Sequence, residues 1–276
     1  MAGLQSENMW KYGFASVVGT AHVRTSVPVQ DACRAEIIRD AQGSEILIAV
    51  ASDGAGSAAQ AHIGSALACE LLAAEVKAHF SRHGEWQQMA DGFIENWIEK
   101  FQRSVSNRAV IAGLKPQDFA CTLLAAVIGS DEAAYFQLGD GAIVESRSAD
   151  DDCYGCVCWP QQGEYANTTN FLTDADAIHK VFRELKAGAV NEVALFTDGI
   201  QNLVLDYRSQ AVHSPFFAPL FAWLRPRPAG HSAELSAALA AYLSSEKINA
   251  RTDDDKTLML ATRSNNSVNS SGCNPL

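Results

Sequence analysis

Four motifs set an aspartate just after or just before a short apolar run. They are Ser52-Asp53-Gly54-Ala55-Gly56, Leu138-Gly139-Asp140-Gly141, Phe196-Thr197-Asp198-Gly199 and Thr252-Asp253-Asp254-Asp255-Lys256-Thr257. Carboxylates drawn together from distant parts of a chain repel one another and lose hydration, so they converge only around something positive. Hard divalent cations such as Mg²⁺ or Mn²⁺ prefer such oxygen ligands, and a metal site is the leading expectation. Each Asp-Gly alone is also a turn signal, because aspartate bonds its own backbone and glycine accepts positive φ. That plainer reading explains Asp140 most easily. In the acidic run, Asp254 is favoured as the ligand by its spacing to Thr257 and Leu258, while Asp150-Asp151-Asp152 has no motif around it and reads as a solvated loop.

The elements that must deliver these acids can be read from periodicity. Tyr12 to Gly19, Cys33 to Arg39 and the apolar Ile46 to Ala51 read as strands. Ala58 to Phe80 reads as a helix with Ile63, Leu67 and Leu71 on one stripe. A second helix carries Met89, Phe93, Trp97, Phe101 and Val105 at steps of four, as core residues and not a cofactor box. Phe119 to Ile128, Ala133 to Leu138 and Ala142 to Arg147 read as an antiparallel meander, with Cys153 to Trp159 as a further strand. Thr173 to Leu185 and Ser232 to Lys247 read as helices; Glu192 to Thr197 is a buried strand, and Lys256 to Ala261 closes the sheet. Hairpin-linked strands with paired helices predict an α+β sandwich in which the first and last strands meet.

Composition narrows the function. The chain has 276 residues and a formal net charge of −11, which argues against a nucleic-acid groove. No apolar run is long enough to span a bilayer, and the Glu7-containing start has no signal-peptide core, so the cytoplasm is the expected location. Seven cysteines, an odd number, speak against a disulfide framework. Cys153, Cys156 and Cys158 lack partners at zinc-finger spacing and read as ordinary thiols. One domain over 1–262 is expected, followed by a disordered 263–276 tail rich in Asn and Ser.

The order D-G-x-G, G-D-G, T-D-G and D-D-x-T resembles the metal-dependent serine/threonine phosphatases of type 2C (the PPM family), their compact bacterial branch above all. Gly19-Thr20-Ala21-His22-Val23-Arg24 leading to Gln30-Asp31-Ala32, and Gly163-Glu164-Tyr165-Ala166-Asn167 before Phe171-Leu172-Thr173, extend the likeness from about Phe14 to Leu260. The resemblance implies a four-layer α-β-β-α sandwich of two antiparallel sheets flanked by helices. Two metal ions, Mn²⁺ or Mg²⁺, would sit at one end. Asp53 would bridge them, the Gly54 carbonyl would bind one, and Asp198 and Asp254 would hold the other. Asp140 would lie near a third, weaker position, and Asp31 would bond metal-held waters or approach the second metal. Such cations lower the pKa of a shared water, which then attacks phosphorus in line.

Arg24 is the candidate phosphate fork, and His22, ahead of His62 or a metal-bound water, the candidate proton donor to the leaving oxygen. Gln30 stands where many relatives carry glutamate, and Ala55 where some carry histidine. The implied partners are a phosphorylated protein substrate and a cognate serine/threonine kinase, with neither nucleic acid nor membrane. Two other functions remain open: a non-catalytic binding module on the same fold, motivated by Gln30 and Ala55, and a hydrolase of small phosphate esters.

Overall fold

A computed structural model describes residues 9–147, 153–161 and 169–263. The 150–152 acidic run, the whole Gly163–Asn167 piece and positions 264–276 of the expected tail lie outside the described residues. In chain order the elements begin with β1 (Lys11–Val17), α1 (Thr20–Thr25), β2 (Ala32–Arg39), β3 (Glu45–Ser52) and α2 (Ala61–Ser81). Next come α3 (Trp86–Ala90), α4 (Phe93–Ala112), β4 (Leu123–Ile128), β5 (Glu132–Leu138), β6 (Ala142–Ser146), β7 (Gly155–Cys158), α5 (Ala177–Lys180) and β8 (Phe182–Ala187). The chain continues through β9 (Glu192–Phe196), α6 (Asp198–Val204), β10 (Leu205–Asp206), β11 (Ala211–Val212) and α7 (Ser214–Leu224). It ends with β12 (Gly230–His231), α8 (Ala233–Leu243), α9 (Glu246–Asn249) and β13 (Lys256–Thr262).

Two sheets carry the architecture. One runs β12-β1-β13-β9-β6-β7 and the other β2-β3-β4-β5-β8. Strand alternation divides the side chains between layers. Ile46, Ile48 and Val50 of β3 pack with Leu72, Val76, Trp97 and Phe101 of α2 and α4. Their neighbours Leu47, Ala49 and Ala51 turn inward to meet Leu195, Met259 and Ala261 of the other sheet. That sheet sends Leu258, Leu260 and Phe196 outward to Phe217, Phe221 and Leu239 of α7 and α8. The result is the expected α+β sandwich of four layers, helix–sheet–sheet–helix.

Several elements differ from the sequence reading. The second long helix is broken at Gly92, whose φ of 81° lies outside the helical region, so Met89 belongs to α3 and Phe93 onward to α4. Phe119 ends a short 3₁₀ turn instead of opening a strand. Thr173 to Leu185 is not a helix: it holds the four-residue α5 and then the edge strand β8, paired antiparallel with β5. Arg183 and Lys186 gave that segment its amphipathic look, and charged residues are what exposed sheet edges carry. The 232–247 helix is interrupted after Leu243 and resumes as α9. β13 does not close its sheet but lies inside it, between β1 and β9.

The supposed meander also breaks. β4 and β5 pair in one sheet, but β6 pairs with β7 and β9 in the other. Gly139-Asp140-Gly141 is therefore a crossing between sheets, made at Gly139 with φ 110°, a conformation glycine tolerates. Arg263, assigned by sequence to the tail, is buried at 5% exposure. Its guanidinium donates to the Gly129 and Ser130 carbonyls, each at 2.9 Å.

Candidate metal centre

Antiparallel register brings the acids to one end. Ala32 opposes Ser52, Leu123 opposes Leu138, Leu258 opposes Phe196 and Val17 opposes Lys256. The entry to β2, the exits of β3, β5 and β9, and the entry to β13 therefore share an edge, and Asp31, Asp53, Asp140, Asp198 and Asp254 are the residues flanking those ends. Asp53, Asp140 and Asp198 each offer a carboxylate oxygen within 4.8 Å of the others. Asp53 is hung on the start of β4: its amide donates to Thr122 Oγ1 at 2.9 Å, and its carbonyl accepts from the Thr122 amide at 2.8 Å. Gly54 bridges to Cys121 alongside. Asp140 accepts from Thr169 Oγ1 through Oδ2.

Asp31 is 6% exposed. Its Oδ2 accepts from Thr197 Oγ1 and Thr257 Oγ1, both at 2.8 Å, and Asp53 lies within hydrogen-bonding reach of the same carboxyl. The opposite oxygen, Oδ1, is buried without a donor, and so is Asp140 Oδ1. Asp254 stands outside the tight trio at the rim, where its charge still acts on Asp198.

The electrostatics of this group are one-sided. Burial first, then the charges of Asp31, Asp198 and Asp140, push the Asp53 carboxyl well above the carboxylate range. Burial, then Asp140, Asp254 and Asp31, push Asp198 up to about 8. Asp31 rises to about 6, chiefly through burial. Desolvation also raises Asp254. Acids so crowded, with buried oxygens lacking donors, fit hard divalent cations, whose charge lowers these pKa values and fills the orphaned lone pairs.

A stability trend follows. Folded Asp31 and Asp198 keep protons to about pH 6 and about pH 8, whereas an unfolded aspartate loses its proton near ~3.9. The unfolded state therefore binds fewer protons between those limits, so metal-free stability falls as pH rises from about 4 to about 8. Melting temperatures in chelator should drop between pH 5 and pH 8, and saturating Mn²⁺ should flatten or reverse the slope. The same slope with and without Mn²⁺ would count against a cation among these acids.

The acidic run before β13 divides its labour. Asp255, not singled out by sequence, is 2% exposed. Its Oδ1 accepts from the Gly19 amide at 2.6 Å and its Oδ2 from the Gln30 amide at 2.5 Å. His22 Nδ1 lies 3.0 Å from the same Oδ1, so His22, on α1, is placed as a brace against Asp255. Asp253 forms an exposed pair with Arg24, 2.8 Å apart. The structure thus joins Asp53, Asp140 and Asp198, sets Asp31 and Asp254 beside them, and leaves Arg24 outside on an exposed helix that the sequence did not reveal.

The glycine of Thr197-Asp198-Gly199 has a packing reason. A methyl group at Gly199 would lie 1.9 Å from the Asp255 carbonyl oxygen, a backbone atom that cannot step aside. Gly199→Ala should cost about 3 kcal/mol or more and displace Asp198, read as a lower urea midpoint. An unchanged midpoint would show that the β13 entry yields freely.

Known proteins can be set beside this geometry. The family model described as Protein phosphatase 2C matches residues 18–244. The chain belongs to the protein phosphatase 2C family. It is 35% identical over 256 residues to Serine/threonine-protein phosphatase 3 of Escherichia coli (strain K12), covering 91% of this chain and 98% of that protein. Among solved structures, a bacterial serine phosphatase superposes with a TM-score of 0.60 at 14% identity, covering 93% of this chain and 99% of that one. The serine/threonine phosphatase Stp1 from Staphylococcus aureus gives 0.56 at 15%, covering 95% and 98%. These two likenesses establish a shared fold. Among the described residues no helix is long and apolar enough to cross a membrane.

Proposed function

We propose that this phosphatase hydrolyses phosphoserine and phosphothreonine in proteins with a water activated by two divalent cations, Mn²⁺ or Mg²⁺. The carrying observation is the convergence of Asp53, Asp140 and Asp198 within 4.8 Å. Asp53, the Gly54 carbonyl, Asp198 and Asp254 would hold the two ions, with Asp140 at a third, weaker position. Bound there, the cations would supply acidification of water and neutralisation of phosphoryl oxygens.

The chain's own residues have separate tasks. Asp31 Oδ1 has no donor and is the atom to take a water's proton. Thr197 and Thr257 fix its orientation through Oδ2. Arg24 would reach a phosphate by leaving Asp253; their exposed pair is worth at most about 1 kcal/mol, so the exchange costs little. With Nδ1 turned to the Asp255 carboxylate, His22 would act as an imidazolium, whose Nε2 carries the proton given to a leaving oxygen. A cognate serine/threonine kinase and a cytoplasmic setting belong to the same proposal.

The test is release of phosphate from a phosphoserine peptide and from p-nitrophenyl phosphate with Mn²⁺, then with excess chelator. Both should proceed with metal and stop without it. Turnover that persists in chelator would refute the cation-dependent reading. Manganese binding without turnover would favour a binding module.

A further inference from the structure

Beyond the acids, one aromatic pair is tied to both sheets at this end. Tyr207, on the turn between β10 and β11, is 41% exposed. Its hydroxyl donates to Gln201 Oε1 at 2.7 Å, and Gln201 lies three residues after Asp198 on α6, on the same helical face. On its other side, Tyr207 meets the Trp159 ring, with centroids 5.7 Å apart at 59°. Trp159 is in turn fastened to the Asp140 turn. Gln137 Nε2 bonds both the Trp159 and Gly141 carbonyls, at 3.1 Å each, and the nearby Gln161 amide donates to the Gly139 carbonyl at 3.0 Å.

We infer that Tyr207 and Trp159 form a wall of the substrate cleft that receives the residue beside the phosphorylated one and favours a cationic side chain, arginine above all. This rests on the phosphatase reading of the acid cluster. Aromatic faces attract guanidinium groups, and arginine stacks flat on them. The charges nearby agree. Asp206 stands at the base of the turn, its carboxylate accepting from the Arg208 amide at 2.9 Å. Arg208 is the one opposing cation on that turn, and it is exposed. The net charge of −11 draws basic peptides toward the molecule as a whole.

The experiment uses the full chain with Mn²⁺ and two phosphoserine peptides that differ only in arginine or leucine beside the phosphoserine. The wild type should prefer the arginine peptide. Tyr207→Ala should lower the arginine-over-leucine ratio of kcat/KM about three- to tenfold, mainly by raising KM for the arginine peptide. Tyr207→Phe keeps the ring and should keep the ratio. Trp159→Leu must lower the same ratio, which protects the test should Tyr207→Ala fail to fold. A wild type indifferent to the two peptides, or a ratio unmoved by Tyr207→Ala and Trp159→Leu, overturns the inference. Failure of the wild type on p-nitrophenyl phosphate would instead strike the underlying phosphatase assignment.

Discussion

Asp198→Asn is expected to cut Mn²⁺-dependent phosphatase activity about a thousandfold, corresponding to about 4 kcal/mol of transition-state stabilisation lost with a cation ligand. The same substitution should make the metal-free protein more stable already at neutral pH, the margin growing up to about pH 8 and holding above it. Asparagine matches the size of aspartate and stays neutral. The Asp198 carboxyl, pushed up to about 8 by burial, Asp140, Asp254 and Asp31, must ionise there against its surroundings. Saturating Mn²⁺ should raise the wild-type melting temperature more than that of the variant. Opposite signs for activity and metal-free stability distinguish an acid kept for cation binding from one kept for packing. If Asp198→Asn retained full activity, or lost stability in chelator at pH 9, the assignment of Asp198 would fail.

Asp255→Ala is expected to destabilise the fold by about 3–5 kcal/mol. It removes the acceptor for two buried backbone amides, Gly19 at 2.6 Å and Gln30 at 2.5 Å, each costing about 1–3 kcal/mol when left unpaired. It also strips His22 of its partner 3.0 Å away. Asp253→Ala, two positions earlier, loses an exposed pair with Arg24 and should change stability by less than about 1 kcal/mol. Urea denaturation of both variants reads the contrast, and equal losses would contradict the placement of Asp255 as the anchor. Because Gln30 precedes Asp31, loosening at Asp255 should also lower turnover.

Much of this was legible from residue order. Ile46 to Ala51 and Glu192 to Phe196 are apolar runs that can hardly be anything but buried strands, and the acids follow them directly. What stayed hidden depends on contacts between distant segments. Three aspartates in a row share one local pattern, and only the approach of Gly19 and Gln30 selects Asp255 as the internal anchor. The turn at Gly139-Asp140-Gly141 signals reversal but cannot say which sheet receives the next strand. The 182–187 segment carries charges at helix-like intervals because it borders solvent at an edge, and its pairing with β5 comes from residues some fifty positions earlier. Tyr207 gave no signal at all, since its significance comes from Gln201 and Trp159.

The crossing at Asp140 has a mechanical consequence. Asp53 hangs from one sheet, Asp198 from the other, and Asp140 from the strap between them. Ions held between Asp53 and Asp198 would act as a rivet through both leaves of the sandwich, so forces prying the leaves apart would have to work against coordination as well as against the Leu47, Leu195 and Met259 interior. Loaded with Mn²⁺, the molecule should resist forced separation of its leaves more strongly than when stripped.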